Sequence, residues 1–240
     1  MKSAPMKAAA YLTCVLLLQG SAAIGQVPMP PSALLLQSQI QLNAVSQRLV
    51  AGMLTPDKPM RAGARTPDGG TRAALIAPAR DGNTTDTPAM LASSYPPASR
   101  AEAQRVFRDL LDKYREVERA MELPERDLSG AAAMLIAGSY EAYHDVSIEP
   151  EQFKAVSRQV RQALGAQAGL ASMAATDKLQ AYEQMAILGM LLSGVQDELS
   201  RHPNPSLSAS LKQAAAGYAR QLLNTDIGRV RITHNGMSIQ

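Results

Sequence analysis

Apolar side chains return every three or four positions in five stretches between residues 99 and 223. That spacing puts one face of a helix against a core. In the first stretch, Phe107, Leu110, Leu111, Tyr114, Val117 and Met121 make one stripe. Arg108, Asp112, Arg115, Glu116 and Arg119 alternate in sign on the other side, as a solvated face does. Ser99 with Glu102 three residues on reads as a capping box that opens this helix, and Pro124 closes it. The second stretch opens at Asp127, a suitable N-cap, and runs to about Tyr143. Leu128 to Gly138 carries no charge, which predicts a helix buried on every side. The third runs from Pro150 to Gly165, with Phe153, Val156, Val160 and Leu164 inward. The fourth spans about Thr176 to Ser200 around the unbroken apolar run Met185 to Leu192. His202–Pro203–Asn204–Pro205 separates it from the fifth, Ser206 to Leu223.

The period then changes. Arg229–Val230–Arg231–Ile232–Thr233 alternates polar and apolar, Asn235–Gly236 signals a tight turn, and Met237–Ser238–Ile239 can return as a second strand. Such a ribbon is marginal alone and is expected to dock through Val230, Ile232 and Ile239. The fold class expected is therefore all-α: a compact bundle of about five helices with a short C-terminal β-hairpin, occupying residues 99–240.

Upstream the pattern is different. Lys2 and Lys7 precede the short apolar run Tyr11 to Leu18, and small residues at Ala23 and Gly25 offer cleavage positions. Residues 1–25 thus read as a signal peptide, too short to span a bilayer. Residues 26–54 hold one amphipathic helix, with Leu42, Val45, Leu49 and Met53 on one side. Its polar side is poor in Lys and Arg, which favours docking on protein over adsorption to a membrane. Residues 55–98 hold seven prolines and four glycines in 44 positions and read as a disordered linker.

The signal peptide alters the meaning of composition. The one cysteine, Cys14, lies inside it, so the exported product has no disulfide and no thiol chemistry. Of 24 basic residues, Lys2 and Lys7 go with the signal, leaving 22 against 21 acidic. Nucleic-acid binding calls for a clustered basic face, and none is visible; nor is a later apolar run of spanning length. The place of action expected is periplasmic or extracellular.

One polar cluster stands out, Gly138–Ser139–Tyr140–Glu141–Ala142–Tyr143–His144–Asp145 at the end of the uncharged helix. Glu141 with His144, and Glu141 with Asp145, share a helix face and are weak candidates for acid/base catalysis. Tyr140 and Tyr143 are candidate binding residues. Glu-x-x-His is also a di-iron spacing, but such sites need a second copy, and none exists; no metal and no cofactor are expected. A histidine in a helix's last turn is accounted for by the helix dipole alone.

The segments Asp127–Leu128–Ser129–Gly130–Ala131–Ala132–Ala133 and Ile136–Ala137–Gly138–Ser139–Tyr140–Glu141–Ala142–Tyr143 resemble the signature of an uncharacterised family. It is a domain-of-unknown-function family of exported helical proteins from Gram-negative bacteria. Phe153–Lys154, Arg158–Gln159–Val160–Arg161 and Tyr182 to Met190 resemble its later blocks. The resemblance implies a helical domain over about 100–233 behind a signal. It supplies no activity, cofactor or catalytic residue. Two functions are then in play. The first is a non-catalytic module that binds a protein partner or self-associates; the second is an envelope hydrolase using Glu141, His144 and Asp145. The sequence leans away from an enzyme without deciding.

Overall fold

A computed structural model describes residues 74–80, 86–165 and 170–240. The expected signal peptide, the amphipathic helix expected within 26–54 and most of the expected linker lie outside the described residues. Within them the chain is mostly helical: α1 (Thr87–Ala92), α2 (Pro97–Ala120), α3 (Leu128–His144), α4 (Pro150–Gly165), α5 (Ala175–Arg201) and α6 (Pro205–Leu223). A 3-10 turn, Ile227–Arg229, leads into an antiparallel hairpin of β1 (Val230–Thr233) and β2 (Gly236–Ile239). No helix among the described residues is long and apolar enough to cross a membrane.

The uncharged helix is the spine. Every residue of α3 from Leu128 to Ser139 is buried, and α4, α5 and α6 pack around it. Asp127 caps it as expected, accepting from the Ser129 amide at 2.9 Å. The tightest crossing is with α5, whose Met185–Met190 run is also buried. An ideal Cβ on Gly138 would fall 2.4 Å from the Gly189 carbonyl oxygen, and one on Gly189 would fall 2.6 Å from the Met134 carbonyl. The two backbones therefore touch where neither has a side chain.

The start of α2 differs from expectation. Ser99 lies inside the helix, whose N-cap is Pro96 and whose cap makes no side-chain hydrogen bond. Pro97 fixes a helical φ at the first position and lacks the amide a cap would satisfy, so the helix starts ahead of the capping box. The helix ends at Ala120, before Pro124, and Glu122 and Arg126 then take left-handed conformations, each with φ 57°.

The expected linker also departs from its composition. Within it, Thr87–Ala92 is helical, with Asp86 as N-cap. Leu75, Ala77, Leu91, Ala92 and Tyr95 join the core, and Tyr95 sits edge-on to Phe107 at 5.7 Å. Residues 74–80 form a strap laid across the turn before α3. Ala77 N–H donates to Arg126 O (2.9 Å), Leu128 N–H to Leu75 O (3.0 Å), and Arg126 Nε to Ala77 O (3.2 Å).

The hairpin docks on α4, but not through all three residues expected. Val230 and Ile232 are buried, Ile239 is 39% exposed, and Met237 takes the inward place. Gln159 of α4 explains the choice. Its side-chain amide accepts from Met237 N–H (2.6 Å) and donates to Met237 O (2.7 Å), so it pairs with β2 as a neighbouring strand would.

Candidate functional site

The five residues singled out at the end of α3 are adjacent in sequence but serve different neighbours. Glu141 Oε1 accepts the Ile148 amide at 2.7 Å, and Oε2 accepts the Ser193 hydroxyl of α5 at 2.6 Å. His144 Nε2 lies 3.2 Å from Ile227 O, a bond that requires the proton on Nε2. Its ring is flanked by Tyr140 (centroids 4.5 Å apart) and, edge-on, by Tyr143 (5.0 Å). Asp145 adopts the left-handed conformation that ends the helix and is ion-paired with Lys212 of α6. Tyr143 reaches the 3-10 turn, where a Cβ on Gly228 would sit 3.4 Å from its hydroxyl. The cluster is thus a junction that ties the end of α3 to the following loop, α5, α6 and the 3-10 turn. Among the described residues no three His, Cys, Asp or Glu side chains gather as a metal site.

A second polar cluster, which the sequence reading missed, lies inside the bundle. Glu118 of α2 is 2% exposed. Its Oε2 accepts the Tyr182 hydroxyl of α5 at 2.8 Å. Among the described residues its Oε1 finds no hydrogen bond of normal geometry, and neither does the hydroxyl of fully buried Tyr114 one turn earlier. Burial pushes the Glu118 carboxyl up to about 7. The Tyr182 hydroxyl and the nearby amides of Arg126 and Asp127 favour its charged form without outweighing burial, and the Asp127 carboxylate opposes them. Burial likewise raises both tyrosine hydroxyls well above their ordinary value. The rings of Tyr114 and Tyr182 lie 5.9 Å apart. Gly130 makes room for them, because a Cβ there would come within 2.9 Å of the Tyr114 hydroxyl.

Beside this acid, Asp127 binds the Ser129 amide and hydroxyl and is ion-paired with Arg161 of α4. Further along α5, Glu183 is fully buried and accepts Arg80 Nη2 at 2.6 Å and Nε at 3.3 Å. Arg80 also reaches Asp86, which pairs with Arg108 at 2.7 Å. Burial alone would lower the Arg80 guanidinium, but the two carboxylates raise it; Asp86 falls below its usual range because Arg108 and Arg80 outweigh its own burial. This ionic chain ties the strap and α1 to α2 and α5.

The missed acid had a legible signal. Phe107, Leu111, Tyr114 and Glu118 are spaced by four, three and four residues, so Glu118 occupies a core position of the α2 stripe. A carboxylate at such a position needs a buried partner.

A family model described as "Family of unknown function (DUF6683)" matches residues 6–240. The match takes in the upstream segments that the resemblance in the sequence left outside. No curated protein matches, and no solved structure does.

Proposed function

The chain belongs to the DUF6683 family, and from that premise we propose that it is an exported, non-catalytic helical module that binds a protein partner or associates with itself. One observation carries the reading. Glu141, His144 and Asp145, the residues best placed by type for hydrolysis, each hold a different element against α3. Acid/base hydrolysis needs its proton donor, its base and a water to converge on one reacting atom. Side chains that diverge to Ser193, Ile227 and Lys212 serve cohesion instead. The charged n-region and short apolar run at the N-terminus support export to the periplasm or beyond.

The test uses the full chain expressed in a Gram-negative host. Envelope fractions should contain a product shortened near Ala23 or Gly25, read by intact mass. Light scattering and crosslinked pull-downs from envelope extract should return a discrete self-complex or a partner. That complex should survive His144→Ala and weaken when residues 26–54 are removed. A hydrolytic activity on envelope substrates that His144→Ala abolishes would replace this reading with the enzyme.

A further inference from the structure

The buried acid and the strap meet at one short turn. Residues 121–127 fold back over the end of α2: Leu123 N–H donates to the backbone carbonyl of Glu118 (2.9 Å), and the Arg126 and Asp127 amides approach its carboxylate. The outer side of the same turn carries the strap, through the bonds of Ala77 and Leu75 to Arg126 and Leu128. Two non-glycine residues in the turn, Glu122 and Arg126, sit in left-handed conformations, which L side chains adopt only at a cost. The other groups at the carboxyl lie on the long packed helices α2 and α5, so the turn is the side most easily displaced.

We propose that Glu118 is a proton-operated latch for the strap: the bonds of Leu75 and Ala77 to the turn are closed when the carboxyl is neutral and open when it is ionised.

The groups facing Glu118 account for the direction. Among the described residues, α2 supplies Tyr114, whose hydroxyl makes no bond of normal geometry, and α5 supplies Tyr182, the one side-chain donor. From the turn come Arg126 and Asp127, the latter neutralised in part by Arg161 of α4, and Arg115 lies beside Tyr182. A neutral carboxyl buries no charge, and the Tyr182 hydroxyl still donates to it. An ionised one is acceptor-only, has one side-chain donor, and faces the Asp127 carboxylate. Opening the turn admits water to the charge and breaks the three bonds that join the strap to the turn, while Arg80 at the strap's far end stays paired with Glu183.

Amide exchange of the full chain reads this directly, because the Ala77 and Leu128 amides are the bridge donors. With exchange corrected for its intrinsic pH dependence, Ala77 protection should fall about tenfold or more between about pH 5 and pH 8, and by no more than about a hundredfold. It should remain below the protection of Leu135 in the middle of α3 throughout. Glu118→Gln should remove the pH dependence. In the unaltered chain, a carbon-13 titration of the Glu118 carboxyl should share its midpoint with the Ala77 change, which keeps the test decisive if that variant does not fold. Ala77 protection that is flat with pH, equal to that of Leu135, or displaced from the Glu118 midpoint overturns the latch, as does pH dependence that persists in Glu118→Gln.

Discussion

Gly138 and Gly189 face each other so closely that a methyl group on Gly138 would lie 2.4 Å from the Gly189 carbonyl oxygen. The obstacle is backbone, so it cannot rotate away, and only separation of α3 from α5 would relieve it. Gly138→Ala should cost about 3 kcal/mol in denaturant unfolding. Gly228→Ala is the comparison: its Cβ would meet Asp226 Oδ1 at 3.3 Å and Tyr143 Oη at 3.4 Å, both on side chains, and should cost under about 1 kcal/mol. Equal losses in the two variants would show that the α3–α5 crossing is looser than described.

Stability should vary with pH through Glu118. Its carboxyl binds a proton more tightly folded than unfolded, at about 7 against the 4.5 of an unperturbed glutamate. The stabilisation is complete below about 4.5, fades as pH rises, and is gone above about 7. Its size is at most about 3 kcal/mol, and less where water reaches the turn. Urea unfolding free energies measured in steps across this range should decline, and Glu118→Gln should flatten the curve.

Arg80 and Glu183 should show the asymmetry of a half-buried ion pair. Glu183 is fully buried, whereas the Arg80 side chain is 35% exposed. Arg80→Ala strands the carboxylate and should cost about 2–3 kcal/mol, reduced from a fully buried pair by solvent screening. Adding Glu183→Gln removes the stranded charge, so the double variant should be more stable than Arg80→Ala alone. A double variant less stable than the single one would mean that Glu183 has another role.

Gln159→Ala should unpin the hairpin. It removes both bonds to the Met237 backbone and bares the outer edge of β2. A loss of about 1–2 kcal/mol is expected, with faster exchange of the Met237 amide. A bared edge can template pairing with another chain, so concentration-dependent light scattering should rise as well.

The regular part of this fold was legible because its signals were local. Asp127, Pro150, Gly165 and the pair Asn235–Gly236 mark their boundaries by backbone chemistry alone, and the structure follows them. The uncharged run Leu128–Gly138 announced its burial. What failed depended on competition or distance. Ser99 is a good cap, but Pro96–Pro97 begins the helix first. Thr87–Ala92 is too short to form on propensity and exists because Leu91 and Ala92 find the core. The polar residues of α3 were noticed because they are contiguous. Glu118, Tyr182 and Tyr114 come from two helices 64 positions apart at the Tyr182–Glu118 bond, so no window of sequence contains them together.

The bridge between the strap and the turn links Ala77 to Arg126, 49 positions further on. Chains are made from the N-terminus, so Leu75 and Ala77 exist well before the residues that will cover them. At roughly 5–20 residues per second, translation leaves those two side chains uncovered for about 2–10 seconds. For that interval the segment is an apolar tag on a nascent polypeptide, open to whatever chaperone meets it first.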